Sequence, residues 1–162
     1  MAAGRSPRQA LRILLKTDSD VAERQVGMID ARGRTAAYTG SACMVFAGHR
    51  RGRFYSVQGN LLAGESVLTD MAAAYETAQK QEGGELADWL LAALQAGQAA
   101  GGDRRGQQSA ALLVVRAKGG PGGDNDRYID LRVEDGPTPI DELARLRALH
   151  AQFYGPARRP AK

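Results

Sequence analysis

The order of the hydrophobic patterns along the chain limits its fold more than any other feature. Apolar residues recur at helical spacing near the start, then alternate with polar residues in short runs, and return to helical spacing twice. They form strand-like runs again before a last helical stretch. Strands that follow one another directly pair antiparallel, and helices that arrive as a pair form a layer on one sheet face. The order therefore predicts a mixed α+β fold with antiparallel sheets.

Four helices are predicted. The first follows Ser6 and Pro7, which suit the N-cap and the first helical position. Each of the other three is marked by apolar residues that recur every three or four positions and so share one face. These residues are Val67, Leu68, Met71, Ala74, Tyr75 and Ala78 in the second helix; Leu86, Trp89, Leu90, Ala93 and Leu94 in the third; and Ile140, Leu143, Leu146, Leu149 and Phe153 in the last, over residues 139–154.

A hairpin is predicted over residues 24–39. Residues 24–30 and 34–39 alternate between polar and apolar, and Asp30 and Gly33 provide turn chemistry between them. The apolar residues that follow, 43–47, predict a short buried segment.

The remaining strands are predicted from shorter signals. Residues 54–58 alternate, and Tyr128, Ile129, Leu131 and Val133 mark a further strand. Residues 109–115 are nearly all apolar, which is typical of a central strand covered on both faces. The polar residues 48–52 predict a loop.

Composition predicts one domain without an affinity for nucleic acid. The chain has 162 residues, of which 43% are hydrophobic and 25% charged, enough for one core. We predict a single domain over residues 1–154 and a flexible tail over residues 155–162. The net charge of +4 forms no basic stripe and only 6% of residues are aromatic, so no nucleic-acid partner is expected. Binding through the basic tail is a weaker alternative.

Several kinds of site are also disfavoured. The single cysteine, Cys43, permits no internal disulfide, and with only His49 and His150 a His/Cys metal site is not expected. We therefore predict no metal and no cofactor. No apolar run is long enough to cross a bilayer and no signal peptide is apparent, so we expect a cytoplasmic protein without a membrane partner.

The segment with the strongest chemical signal is Gly-Gly-Asp-Arg-Arg-Gly at residues 101–106. Its glycines allow tight turns and close approach to a ligand, and arginine guanidiniums suit carboxylates and phosphates. Asp103, Arg104 and Arg105 would then lie at the entrance of the strand that begins with Ser109. The alternative is a solvated loop with a structural Asp–Arg pair; both interpretations stay open.

Two weaker candidates precede this segment. Gly59-Asn60 at a strand end is usually a plain turn, although the Asn60 amide could donate to an oxyanion. His49 could act as a general base, but an exposed loop histidine is the simpler interpretation.

Taken together, the motifs resemble those of a bacterial and archaeal family of unknown function, DUF1028, which is grouped with the N-terminal nucleophile (Ntn) hydrolases. The matching segments appear in order over nearly the whole chain, and the segment around Gly-Asp-Arg-Arg-Gly is the most specific. They lie at residues 24–27, 30–34, 39–40, 47–49, 57–60, 96–106, 108–112, 125–127 and 130–133.

The resemblance implies a four-layer αββα sandwich, with two antiparallel sheets between helix layers. It also implies hydrolysis of a small amide or peptide by an N-terminal Thr, Ser or Cys whose own amino group acts as the base. The expected catalytic residues in this chain are Asn60, Asp103 and Arg104. The expected substrate-binding residues are His49, Gln58, Arg105 and Ser109.

The chain departs from the family pattern at its start. Family members begin with strands that carry the nucleophile, whereas this chain begins at the first helix. We therefore expect an N-terminally truncated domain that is inactive as given, with open apolar strand edges that favour homo-oligomers. The alternative function is a non-catalytic module of the same fold that binds an anionic small ligand.

Overall fold

A computed structural model describes residues 4–154. Within that range the chain forms four α-helices, six strands and two short 3₁₀ segments. The predicted tail lies outside the described residues. The helices are α1 (Pro7–Thr17), α2 (Glu65–Gln79), α3 (Leu86–Ala99) and α4 (Pro139–Tyr154), and the strands are β1 (Gln25–Ile29), β2 (Thr35–Thr39), β3 (Gly48–Gly52), β4 (Tyr55–Gly59), β5 (Ala110–Val115) and β6 (Arg127–Val133).

Helix α1 begins as its sequence predicts. The Ser6 hydroxyl accepts from the backbone N–H of Gln9 at 3.4 Å, and the Gln9 side chain accepts from the backbone N–H of Ser6 at 2.9 Å. This capping box satisfies two backbone donors that the first turn leaves without partners. The helix buries Leu11 and packs against β2.

The strands pair as three antiparallel hairpins, β1–β2, β3–β4 and β5–β6. The predicted hairpin over residues 24–39 is confirmed. The Asp30 carboxylate closes its turn by accepting from the backbone N–H groups of Arg32 (3.0 Å) and Arg34 (2.9 Å). The β1–β2 hairpin contacts the β3–β4 hairpin, and α2 packs against β3 and β4.

The main core lies between the β5–β6 hairpin and helices α3 and α4. Ile129 of β6 and Leu143 of α4 have no exposed surface. Burial of this apolar surface is the largest favourable contribution to the stability of such a layer. The other buried members of this cluster are Ala87, Leu91, Leu112, Val114 and Tyr128.

One charged side chain is buried between α3 and α4. Arg147 is 8% exposed, and its Nη2 donates to Glu85 Oε1 (2.6 Å) and Asp88 Oδ2 (3.1 Å). Its Nε and Nη1 are buried without a hydrogen-bond partner among the described residues. Since Glu85 and Asp88 also form the capping box of α3, this arginine ties α4 to the start of α3.

The prediction of a loop over residues 48–52 is wrong, because these residues form β3. Each of them pairs with a residue of β4, from Gly48 with Gly59 to Gly52 with Tyr55. Arg50 and Arg51 are exposed, so a polar sequence suits this strand. Hydrogen bonding to β4 makes these residues a strand, and the local sequence pattern does not indicate that pairing.

The prediction that residues 43–47 are buried is also wrong for its central residues. Met44 is 60% exposed and Val45 is 71% exposed. The segment is held through its backbone instead: the carbonyl of Met44 accepts from the N–H of Leu61 (3.1 Å), and that of Phe46 from the N–H of Leu62 (3.0 Å).

Strand β5 is covered on one face only, which corrects the prediction of a strand covered on both. Leu112 and Val114 are buried, whereas Leu113 and Val115 are 53% and 65% exposed. Side chains of a strand alternate between its faces, so the helices cover only every second residue.

The observed architecture is a mixed α+β fold with small antiparallel sheets and four helices, as the order of patterns predicts. Among residues 4–154, no helix combines the length and the apolar character needed to span a bilayer.

Candidate functional site

A cleft of about 660 Å³ lies where the segment after α3 meets the end of β4 and the start of β5. We call it the loop cleft, because residues 102–109, with the exception of Arg104, line one side of it. The lining also contains the apolar side chains of Val67 and Met71 of α2 and Leu94 of α3, which we call the apolar wall. The cleft therefore combines a polar loop with an apolar wall, as ligand sites commonly do.

Two glycines allow the segment after α3 to reverse direction. Gly101 and Gly102 have φ angles of 113° and 55°, a region that side chains disfavour. The chain then runs beside the residues that follow β4: Ala63 N donates to the Gly102 carbonyl (2.9 Å) and Arg104 N to the Leu61 carbonyl (2.7 Å). These bonds fix the polar loop beside the end of β4.

Asp103 is bound by its neighbour Arg105. Arg105 donates through Nε (3.0 Å) and Nη2 (2.7 Å) to the two carboxylate oxygens, and its backbone N–H donates to Oδ1 (2.8 Å). Hydrogen bonds from the Arg105 side chain, followed by that from its backbone, lower the pKa of Asp103 to about 2. The structural Asp–Arg pair that the sequence left as an alternative is thus present, and it lies within the lining of the cleft.

Arg104 points away from this pair. Its Nη1 donates to the carbonyl of Val45 at 3.1 Å, and the residue does not line the loop cleft. Arg104 therefore anchors the exposed segment 43–47, and its predicted catalytic role remains a prediction.

The charged groups of the lining do not favour an anion. Two carboxylates, of Asp103 and Asp135, face one guanidinium, of Arg105, which is already paired. Most of the remaining polar lining consists of neutral amides, and each amide offers both donors and an acceptor. These amides belong to Gln58, Gln98, Gln107 and Gln108.

Part of this amide set is available to a ligand. Ser56 Oγ donates to Gln58 Oε1 (2.9 Å), and Gln108 Nε2 donates to Asp135 Oδ1 (3.3 Å). Within residues 4–154, the side chains of the other two glutamines, Gln98 and Gln107, form no side-chain hydrogen bond.

A second polar group joins the ends of the first four strands. Gln25 Nε2 donates to the carbonyls of Gly48 (3.0 Å) and Gly59 (3.0 Å), and Asn60 Nδ2 donates to Gln25 Oε1 (2.7 Å). This half-buried network explains why Asn60 follows the end of β4. Its amide is used inside the fold, so its proposed contact with an oxyanion remains a prediction.

The same network contains His49. Thr39 Oγ1 lies 3.2 Å from Gln25 Nε2 and 2.8 Å from His49 Nδ1. Burial, followed by the charge of Arg51, lowers the pKa of His49 below its usual range, which favours the neutral ring. The simpler sequence interpretation, an exposed loop histidine, is wrong because His49 lies in β3.

The structure thus brings together four of the seven predicted site residues. Gln58, Asp103, Arg105 and Ser109 line the loop cleft, whereas His49, Asn60 and Arg104 do not. The roles assigned to all seven stay predictions.

Sequence reasoning missed two groups of residues. Gln25 and Thr39 of the strand-end network were not singled out; their positions at the first and last residues of paired strands could have drawn attention to them. Gln98 lies within the matched segment 96–106 but was not singled out as a site residue. Asp135 follows from no local pattern, because the segment after β6 reaches the cleft only in the folded chain.

Within residues 4–154, no group of three or more His, Cys, Asp or Glu side chains is arranged to hold a metal ion. The cleft is therefore described by its amide and charged groups alone.

Residues 1–143 match a protein family described as "Family of unknown function (DUF1028)". The fold is similar to the crystal structure of a protein from Silicibacter pomeroyi that is assigned to the same family, with a TM-score of 0.77 and 28% sequence identity. The similarity covers 94% of this chain and 66% of that one, so this chain spans slightly less than two thirds of its length. No curated protein matches the sequence.

Proposed function

The chain belongs to the DUF1028 family of unknown function, and we propose that its loop cleft binds a small amide or peptide as the substrate of an Ntn-type amide hydrolase. The observation that supports this proposal best is that four glutamine side chains line the same cleft as the apolar wall. An amide ligand carries one donor and one acceptor per amide group, and a glutamine side chain can satisfy both. The apolar wall would take an acyl or side-chain group.

The alternative of a non-catalytic module for an anionic ligand has less support. Arg105 already bonds Asp103 through two nitrogens, and Asp135 adds a second carboxylate to the same cleft. An anion would have to displace the Asp103 carboxylate from Arg105. It would also be repelled by the negative charge of Asp135.

Hydrolysis needs a nucleophile and a base in addition to this binding surface. Among the described lining residues Ser109 has a hydroxyl, but the lining contains neither histidine nor lysine to act as its base. The proposal therefore assigns the lining to substrate binding. In an Ntn hydrolase the nucleophile and the base belong to the amino-terminal residue.

The stacking of elements is consistent with the four-layer sandwich, which we propose as the fold of the family domain. Helix α1 contacts the β1–β2 hairpin, that hairpin contacts β3–β4, and α2 contacts β3 and β4. Such a succession of contacts is expected when helix, sheet, sheet and helix layers are stacked.

Calorimetric titration of the full chain tests the amide-binding part. We expect N-acetyl-dialanine amide to bind and succinate, a dianion, to bind at least tenfold more weakly. Replacing Gln107 and Gln108 together by leucine removes two hydrogen-bonding groups and should raise the dissociation constant for the amide about tenfold. The matched control is Gln95→Leu, since Gln95 lies exposed on α3 outside the cleft.

Equal affinity of the double variant and the parent chain would overturn the assignment of the cleft. The hydrolase part is tested by measuring free amine released from the same amide. Release that the double variant abolishes supports hydrolysis at the loop cleft, whereas release that the double variant leaves unchanged would refute it. Binding without release agrees with a lining that serves substrate binding alone.

A further inference from the structure

A second cleft, of about 570 Å³, lies at the opposite end of the β5–β6 hairpin from the loop cleft. It is lined by the loop that joins β5 to β6, by β6 itself and by the end of α4, and we call it the hairpin cleft. Among residues 4–154, the two clefts share no lining residue. Strand β5 has six residues, so about 20 Å separates the two ends of the hairpin. The hairpin cleft is therefore a separate candidate site.

A β-bulge shapes one wall of the hairpin cleft. Arg127 and Ile129 pair with residues of β5, but Tyr128 between them does not. Tyr128 and Ile129 are both buried although they are consecutive, which regular alternation along a strand would not allow. The Tyr128 carbonyl, left outside the ladder, accepts from His150 Nε2 of α4 at 3.1 Å. Bulges often re-aim a side chain at a functional site, and this one turns Tyr128 towards α4.

Three aromatic rings line the hairpin cleft. His150 packs edge-to-face on Tyr128, with 5.7 Å between the ring centroids, and its centroid lies 5.2 Å from that of Tyr154. Leu131 of β6 and Pro121 of the joining loop add further apolar surface. This part of the cleft suits a flat, apolar group such as an aromatic ring.

Arg116 places a cation beside these rings. Its guanidinium carbon lies 3.7 Å from the centroid of the Tyr128 ring, so the cation is stacked over the ring face. Within the described part of the chain, residues 4–154, this guanidinium forms no ion pair and no hydrogen bond. Stacking therefore orients the planar group without using its N–H donors, which remain for a ligand.

The other polar groups of the hairpin cleft also favour an anion. Asp130 is the only carboxylate among its described lining residues, and both oxygens already accept, from Arg127 Nη1 (2.8 Å) and Arg132 Nε (3.0 Å). Asn125 Oδ1 accepts from the backbone N–H of Arg127 (2.8 Å), which directs its amide oxygen into the loop. The cleft thus offers positive charge and donors, whereas its carboxylate acceptors are occupied. Carboxylates and phosphates are the groups that arginine forks bind best.

The joining loop is held in place by its own hydrogen bonds. Gly120 N donates to the Asn125 carbonyl (2.9 Å), and Asp126 Oδ1 accepts from a backbone N–H inside the loop (2.9 Å). The carboxylates of Asp124 and Asp126 are not part of the described lining, so they do not offset its positive charge directly. A wall that is fixed in advance lowers the entropy cost of binding.

We propose that the hairpin cleft binds a small aromatic oxyanion, that is, a molecule that carries a carboxylate or a phosphate on an aromatic body. The oxyanion contacts the Arg116 guanidinium, and the aromatic body packs against the rings of the cleft. A volume of about 570 Å³ is typical of sites for such small molecules. This inference does not depend on amide binding or hydrolysis at the loop cleft.

An NMR titration of the full chain with phenylpropionate tests the inference. We expect binding in the millimolar range, with shift changes at residues 116–131 and none at residues 102–109. Phenylpropanamide has the same shape without the charge, and propionate has the same charge without the ring. Each should bind at least tenfold more weakly than phenylpropionate. Phenyl phosphate is the second oxyanion, and the tighter of the two oxyanions identifies the anionic group.

Arg116→Met removes the guanidinium and keeps an apolar side chain at an exposed position. It should weaken phenylpropionate binding at least tenfold and leave phenylpropanamide binding nearly unchanged, a difference that misfolding would not produce. Arg53→Met is the matched control, because Arg53 also lies over an aromatic ring, that of Phe54 (5.0 Å), but outside the hairpin cleft. It should leave the affinity for both probes unchanged.

Several results would overturn this inference. They are equal affinity of phenylpropionate for the parent chain and for Arg116→Met, equal affinity of the carboxylate and the amide, shift changes confined to the loop cleft, and failure of both oxyanions to bind. Binding of N-acetyl-dialanine amide should be unaffected by Arg116→Met. The proposed function of the loop cleft is therefore tested separately.

Discussion

The carboxylate of Asp103 is held by one neighbouring residue rather than by the surrounding fold. Arg105 supplies all three of its hydrogen bonds, two from the guanidinium and one from the backbone. Side chains only two residues apart can form such a pair in an exposed loop. The pair therefore needs no hydrogen bond from residues elsewhere in the chain. Its consequence is that Arg105 is oriented along the cleft and is not available as an unpaired cation.

The ionisation of Asp103 is expected to follow from this pairing. Its pKa of about 2 lies below the ordinary value of 3.8, so the pair stabilises the loop above about pH 4 and loses that contribution as pH falls through 2. Arg105→Ala should raise the pKa of Asp103 towards 3.8. An NMR titration of the Asp103 carboxyl carbon measures both values.

Arg145→Ala is the control, because Arg145 forms a similar exposed pair with Glu142 on α4. It should leave the Asp103 titration unchanged. A midpoint near 3.8 for Asp103 in the parent chain would show that the pair does not persist in solution.

Individual site residues were predictable only where a segment carries its own chemistry. The loop at residues 101–106 stands out in the sequence because glycine and charge coincide, and it does line the cleft. The hydrogen-bond partner of each arginine side chain could not be predicted, because Arg104 and Arg105 are chemically alike. Only the folded position of the Val45 carbonyl distinguishes them.

Among the elements, helices were easier to predict than strands. All four helices form where apolar spacing and the Ser6–Pro7 start place them, because helical hydrogen bonds are local. Strand β3 was missed because its partner, β4, supplies the hydrogen bonds that its own polar sequence does not indicate. Strand β5 was predicted, but its exposed face was not, since the coverage of a face depends on distant elements.

The contact between α3 and α4 depends on the buried Arg147. Arg147→Ala should lower the free energy of unfolding by about 2 kcal/mol, because it leaves the carboxylates of Glu85 and Asp88 without their cation. Arg147→Met should cost less, since methionine fills the space and removes two buried nitrogens that have no partner in the described chain. Urea denaturation measures both changes.

The matched control for this element is again Arg145→Ala on the same helix. Its exposed ion pair should contribute less than about 0.5 kcal/mol. If Arg147→Ala unfolds with the same midpoint as Arg145→Ala, the buried contact does not stabilise the α3–α4 packing.

At the scale of the whole molecule, the strands of residues 4–154 form three separate antiparallel hairpins. The order of elements in the sequence predicts the strands of the first and third hairpins, but not the β3–β4 hairpin, because the polar residues 48–52 were expected to form a loop. The loop cleft lies where the segment after α3 meets the end of β4 and the start of β5, and we propose that an amide or peptide ligand binds there.

A crystal structure of the full chain grown with N-acetyl-dialanine amide is the most direct test of this site. We predict the ligand in the loop cleft, with its amide groups within hydrogen-bond distance of the cleft glutamines and its methyl groups against Val67, Met71 or Leu94. A ligand bound elsewhere on the molecule, with the loop cleft empty, would refute the proposed function.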